Sequence, residues 1–504
     1  MVNLDRKSGI LLHITSLPGP YGIGEIGPKA FEFVDDLNEM GQCLWQILPN
    51  NPPDNHNCPY STTSAFANNP ILISFDYLVR DGWLESSDLL NPPSFEVDRV
   101  NFDLVKQWRW SLLLKAASTF RNNKLNNHSR KFKDYCDLND FWLNNYSMFT
   151  VLEQIQSGKD WIDWEPKYKS YSIENLKSLK ESHSEEIEDI KILQYLFDSQ
   201  WAELKEYANS NGIQIIGDIP IYVAFNSADV WTNQSLFKLT KLGNMRVQSG
   251  CPPDFFIETG QTWGHPIYDW AEHKKEKYKW WTDRIAHLFQ RVDMVRIDHF
   301  NGFAKYWEVP AEDENGINGH WVPGPGEGLF NAIIDRVGSN PILAEDLGEA
   351  SKDAAVLRKI YGIPGMKILQ MSFGNGTPFE SMSENTVVYT GTHDNDTCIG
   401  WYFSENGDGT TQSNKEILKE RIHAKNVLKL NDIDVNWRMV EYSMKSNANT
   451  AIFPMQDILG MDSSARMNTP GTIGGNWEWR YNQTHLNDGI KHRLKKLTKE
   501  TQRI

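Results

Sequence analysis

The chain has 504 residues, 40% hydrophobic and 23% charged, enough for a large core carrying insertions. Its formal net charge of -15 argues against a nucleic-acid partner or an anionic membrane surface, and no apolar run approaches the ~20 residues of a membrane span. Five dispersed cysteines (Cys43, Cys58, Cys136, Cys251, Cys398) without a C-x-x-C pair point to reduced thiols in a cytoplasmic compartment and not to a disulfide framework.

Ile10–Ile14 is the first apolar run, closed by Ser16-Leu17-Pro18-Gly19-Pro20. Ala30, Phe31, Phe33, Val34, Leu37 and Met40 then trace one helix face that Gly41 stops, and a second short apolar run, 44–48, ends at Pro49. Strand, helix, strand implies a parallel pair. Residues 50–70 are a polar, Pro-rich loop. Residues 71–190 are mostly helical in pattern, with recurring Trp and Phe anchors such as Trp108, Trp142 and Trp161, so they read as a helical insertion and not a disordered linker. A helix stripe from Ile192 to Ala208 leads into a strand, 213–220, bearing Asp218. A second insertion, 222–285, is rich in Gly, Pro and Trp and contains a loop, 250–268.

Further strands are predicted at 294–298, 305–309, 341–346, 366–371 and 387–393, with helices at 326–337, 350–361 and within 412–450. The tail 451–504 reads as containing another long loop. Eight strands, near 10, 44, 213, 294, 305, 341, 366 and 387, suggest one interrupted (β/α)8 TIM barrel over 1–504, without a separate C-terminal β-sandwich. A doubly wound open sheet is the alternative, but no G-x-G-x-x-G turn follows the first strand. The link from 298 to 305 is too short for a helix.

The chemistry-bearing residues sit at predicted strand ends: Asp218, Arg296, Asp298, Glu345, Asp346, His393 and Asp394. In a barrel these ends converge on one face. Arg296 and Asp298 are two apart on a strand and share a face, where a guanidinium keeps a carboxylate ionised; a plain structural ion pair is the competing interpretation. Clustered carboxylates serve either divalent-metal binding or acid/base work. Arg296 beside Asp298 disfavours the metal, and aromatic-rich surroundings suit glycosidic-bond chemistry.

Motifs along the chain carry a specific resemblance. They include Gly9–Pro20 with Gly22-Ile23-Gly24, Trp45–Pro49, Ser64–Ala67, Gly217–Ile221, Pro252-Pro253-Asp254 and Glu258-Thr259-Gly260-Gln261. Arg296–Phe300, Ala344–Gly348, Gly391–Thr397 and Ala465–Gly471 complete the series. In this order the chain resembles the amylomaltases, the 4-α-glucanotransferases of the α-amylase clan. The resemblance implies Asp298 as nucleophile, Glu345 as general acid/base and Asp394 as transition-state stabiliser. It places Tyr60, Asp218, Asp254, Gln261, Trp263, Arg296, His299, His393 and Asn468 in substrate binding, with loop 250–268 arching over the cleft.

The implied partners are α-1,4-glucans as donor and acceptor, handled without metal or organic cofactor, and oligomeric state stays open. A retaining reaction would set the two reacting carboxyls roughly 5–5.5 Å apart. An α-glucan hydrolase with the same carboxylates and a catalytically dead glucan-binding protein are the alternatives. The chain departs from the family pattern in the loop 50–58, at Asn301 where Arg is usual, and at His265 where Asn is usual.

Overall fold

Short strands, most of them buried on both sides, build the centre of the molecule. The computed structural model describes residues 5–503 apart from 124–126, 173, 255, 340, 349, 375–378, 405–409 and 431–432. In chain order the strands are β1 (Lys7–Leu11), β2 (Leu44–Gln46), β3 (Gln214–Ile219), β4 (Val247–Cys251), β5 (Gln261–Pro266) and β6 (Met294–Ile297). They continue as β7 (Lys305–Pro310), β8 (His320–Pro323), β9 (Ile342–Ala344), β10 (Gly365–Ile368), β11 (Thr386–Tyr389) and β12 (Thr450–Pro454).

Eight of them form a parallel sheet in the order β10-β11-β12-β1-β2-β3-β6-β9. The sheet curls until its two edges meet, where the Ala344 N–H donates to the Pro364 carbonyl at 2.9 Å. This is the expected (β/α)8 barrel. Its strands are apolar on both faces because side chains fill the interior on one side and helices cover the other. Ile10, Ile215, Ile216, Val295, Val388 and Ile452 are all fully buried. Gly9 permits the closest approach of β1 to β2: a Cβ there would lie 2.4 Å from the Leu44 carbonyl oxygen.

One member of the predicted barrel was misplaced. The segment at 305 is β7, which pairs antiparallel with β4 and β8 in a second sheet of order β5-β4-β7-β8. The eighth barrel strand is β12, inside the tail read as loop. Burial explains the difference. β7 alternates half-buried and buried residues over its first four positions, as a one-sided antiparallel strand does, whereas β12 is buried at every position. The link from Asp298 to Lys305 holds only the 3-10 turn Phe300–Phe303, too little chain for a parallel crossover.

Helices at Phe102–Asn122, Asn127–Leu138, Asp140–Ile155 and Ser184–Ser210 fill most of the connection between β2 and β3. The helix predicted from Ile192 begins at Ser184 and ends at Ser210, so only the turn 211–213 separates the helical region from β3. Between β3 and β6 lie β4, β5 and the helices Trp270–Lys275 and Lys279–Arg291. Residues 250–251 and 261–266 of the predicted loop 250–268 are therefore strand, and its residue 255 lies outside the described residues. No helix among the described residues is long and apolar enough to cross a membrane.

Candidate active site

The parallel register sets the site. Asp218 on β3 pairs with Arg296 on β6, so their side chains meet inside the barrel. Arg296 Nη1 donates to Asp218 Oδ1 and Oδ2 at 2.8 and 2.6 Å, and lies 3.0 Å from Asp298 Oδ1. The guanidinium is thus shared, with Asp218 holding it more closely than Asp298 does. The Asp218 side chain is fully buried, while a quarter of Asp298 remains accessible. The Tyr60 hydroxyl donates to Asp218 Oδ2 at 2.7 Å and its ring stacks on His393 at 4.7 Å. Asp218 therefore lies beneath the cleft surface, occupied by Arg296 and Tyr60.

Glu345 follows β9, the neighbour of β6. Its Oε2 accepts the His299 N–H at 2.8 Å and its Oε1 the Leu347 N–H at 2.9 Å. His299 adopts a left-handed backbone conformation, φ 49°, which is uncommon outside glycine and marks functional turns. Beyond β11, His393 Nε2 lies 3.3 Å from Asp394 Oδ2, and Asn468 Nδ2 donates to Asp394 Oδ1 at 2.7 Å. Arg466 supports this corner by donating to the Asp394 carbonyl at 2.6 Å and the Asn468 carbonyl at 2.8 Å.

These surroundings separate the three carboxyls. Burial pushes Asp298 up to about 6, against the pull of Arg296. Burial also raises Glu345, to about 7, reinforced by the like charge of Asp298 and only partly opposed by Arg296. Burial acts to raise Asp394 too, but the His393 ring and the Asn468 amide overcome it and hold the group at about 2. Burial keeps the His299 ring neutral, lowering it to about 4. Glu345 lies highest because no cationic side chain contacts it, whereas Asp298 meets Arg296 and Asp394 meets His393.

The antiparallel sheet brings its own residues to the cleft. The Trp263 ring meets His299 edge-on at 4.9 Å, and its Nε1 donates to Gln261 Oε1 at 3.1 Å. His265 Nε2 lies 3.1 Å from Ser61 Oγ, next to Tyr60. Asp254 does something different: its Oδ1 accepts the N–H groups of Phe256 and Ile257, both at 2.9 Å. It shapes its own loop and does not join the carboxyl cluster. That loop touches a second one, since Gly471 (φ 78°) abuts Ile257 so closely that a Cβ would lie 2.2 Å from its Cδ1.

Of the sequence-derived candidates, the structure gathers Tyr60, Asp218, Arg296, Asp298, His299, Glu345, His393, Asp394 and Asn468, with Trp263 and Gln261 at the rim. Asp346 turns away: it pairs with Arg358 at 2.7 Å and accepts the Met366 N–H at 3.0 Å. Sequence reasoning missed Arg466, which sits in a quoted motif, and Trp477, whose ring lies 5.8 Å from both Tyr60 and His393. It also missed His13, which burial lowers to about 3, helped by His393. Arg466 and Trp477 do not stand at a strand tip, the signal used; His13 does, two residues beyond β1, and a lone histidine there goes unnoticed without a carboxylate beside it. Among the described residues no group of His, Cys, Asp and Glu has the arrangement of a metal site.

A trio of partly buried barrel-tip carboxyls in different electrostatic surroundings, under an aromatic rim, defines a glycoside-transforming barrel. The sequence profile described as 4-alpha-glucanotransferase matches residues 12–485, and the chain belongs to that family. It is 41% identical to the 4-alpha-glucanotransferase of Synechocystis, covering 98% of each chain. It is also 41% identical to a chloroplastic/amyloplastic 4-alpha-glucanotransferase of Arabidopsis thaliana, covering 94% of this chain and 81% of that one. The amylomaltase of Streptococcus agalactiae, solved in complex with acarbose, superposes with a TM-score of 0.93 at 36% identity, covering 99% of both chains.

Proposed function

We propose that this chain is a 4-α-glucanotransferase that moves α-1,4-glucan segments between maltooligosaccharides by retaining double displacement. The observation that carries the reading is the pairing of Asp298 and Glu345 on neighbouring strand ends, with Asp298 alone of the two touching Arg296. Asp298 is the nucleophile. Its Oδ forms the bond to the anomeric carbon while the glycosidic C–O bond breaks, and Glu345 passes its proton to the departing oxygen. Glu345, now ionised, then takes the proton from the 4-hydroxyl of an incoming glucan, which displaces Asp298 and regenerates both groups. Asp394, ionised beside His393, accepts sugar hydroxyls as the ring flattens and stabilises the positive charge.

His393, His299, Trp263, Gln261, Tyr60 and Asn468 hold the sugar. Asp218 acts one step back, fixing Arg296 and the Tyr60 hydroxyl, and Asp254 fixes the covering loop. The loop contact between Ile257 and Gly471 supports exclusion of water, which favours a sugar acceptor over hydrolysis. We place the enzyme in the cytoplasm, a reading supported by five free thiols.

Incubation with maltotriose separates transfer from hydrolysis. The expected products are glucose and a ladder of longer maltooligosaccharides. Shorter sugars only, with a steady rise in reducing ends, would instead indicate the hydrolase.

A further inference from the structure

Glu345 lies on an irregular segment. No helix or strand covers residues 345–348, and Gly348 takes a positive φ of 87°. Something outside the segment must fix a side chain whose position decides where a proton lands. The turn after β6 meets this segment at three consecutive residues. The His299 N–H reaches Glu345 Oε2 at 2.8 Å and the Phe300 N–H reaches the Glu345 carbonyl at 2.9 Å. The Asn301 side-chain amide then donates to the Leu347 carbonyl, while the Leu347 N–H donates to Glu345 Oε1 at 2.9 Å.

Asn301 is a costly residue for this place. It is 1% exposed, and its Oδ1 has no hydrogen-bond partner among the described residues. A buried amide satisfied on one side only is a poor choice for stability, and an isosteric leucine would avoid the orphaned acceptor. What leucine could not supply is the donor to Leu347. The turn itself is anchored elsewhere: the Ala304 N–H bonds the Asn301 carbonyl at 3.0 Å, and Gly302 packs against Ile221. Its backbone does not depend on the side-chain amide.

We propose that Asn301 is a positioning residue for Glu345, clamping the Leu347 carbonyl so that the Leu347 N–H stays on Glu345 Oε1 and the carboxyl faces the glycosidic oxygen. The proposal rests on Glu345 being the acid/base. Its signature is dependence on the leaving group, because a misplaced acid harms departure of a sugar alkoxide but hardly that of fluoride, which leaves without a proton.

The test uses the full chain and two donors, maltotriose and α-maltosyl fluoride, assayed on one preparation of each variant so that the folded fraction cancels. The variants are Asn301→Leu and Asn301→Asp, both isosteric and both lacking the amide donor, with Glu345→Gln as reference. For both Asn301 variants, turnover of maltotriose falls on the order of 100-fold, while the single-turnover release of fluoride falls less than about 3-fold.

The pH profile moves as well. The Leu347 N–H favours the ionised form of Glu345, so its loss raises the basic limb of kcat/KM in Asn301→Leu. The charged and titratable groups facing Glu345, namely Asp298, Arg296, Asp346 and His299, are unaltered in that variant. Equal losses on both donors, or an unmoved basic limb, with Glu345→Gln still discriminating between donors, would overturn the role of Asn301 and leave Glu345 in place. If Glu345→Gln itself does not discriminate, the acid/base assignment fails and this proposal with it.

Discussion

The two sheets of this molecule divide the work. The eight-stranded parallel sheet is buried at nearly every position, and its register brings Asp218, Arg296, Asp298 and Glu345 to neighbouring strand ends. The four-stranded antiparallel sheet is half-covered, and β5 contributes Gln261, Trp263 and His265 with their side chains partly exposed toward the rim. On the proposed mechanism the bond-making groups belong to the more deeply buried element, where a misplacement of about 1 Å costs on the order of 100-fold. The residues proposed to meet the acceptor belong to the half-covered one.

Removing the nucleophile tests the barrel side hardest. Asp298→Asn lowers transfer and hydrolysis alike by at least about 10⁴-fold, as loss of a covalent nucleophile does in other enzymes; a maltotriose time course against wild type reads it. If the two activities fell by different factors, the division between the sheets would not hold. Next comes the core. Ile452→Ala, at a fully buried position of β12, destabilises the fold by about 2–5 kcal/mol. Val322→Ala, in the half-covered β8, costs less than about 1 kcal/mol. Denaturant midpoints of the two variants should differ accordingly.

The rim responds differently. Trp263→Ala removes the ring against His299 and shifts the ratio of hydrolysis to transfer upward by about 10-fold, from loss of roughly 1–1.5 kcal/mol of aromatic contact. Thermal stability changes little, and glucose release against ladder formation gives the ratio. The smallest effect is in the pH profile. Turnover needs Asp298 ionised and Glu345 protonated, so kcat/KM rises as pH passes about 6 and falls beyond about 7. These limbs belong to the coupled pair. Since both groups sit on the barrel, the limbs stay in place in Trp263→Ala.

The same division governs how much could be read from the sequence. The barrel strands β1, β2, β3, β6, β9, β10 and β11 stand out as short apolar runs, and the carboxyls at the tips of β3, β6, β9 and β11 could be grouped before any coordinates. β12 escapes notice although Ala451-Ile452-Phe453 is as apolar as the rest, because the run at 305 already fills the count of eight and the tail reads as loop. β7 was mistaken for a barrel strand because a run of Tyr, Trp and Val does not say which sheet it joins. Side-chain hydrogen bonds between distant segments left no local signal. The sharing of Arg296 by two aspartates, the Asn301 anchor on Leu347 and the Arg466 support of Asp394 each join residues 46 or more positions apart, apart from the Arg296–Asp298 contact itself.

The central claim is that Asp298 becomes covalently glycosylated. In Glu345→Gln, α-maltosyl fluoride should glycosylate the enzyme without acid assistance, while return to an acceptor is slowed by the missing base. Intact-mass spectrometry of that mixture, followed by peptide mapping, is the direct measurement. The expected result is a single maltosyl adduct on the peptide carrying Asp298, discharged when an external nucleophile such as azide is added. An adduct on Asp394 or Glu345, or azide products of inverted configuration formed without any adduct, would contradict it.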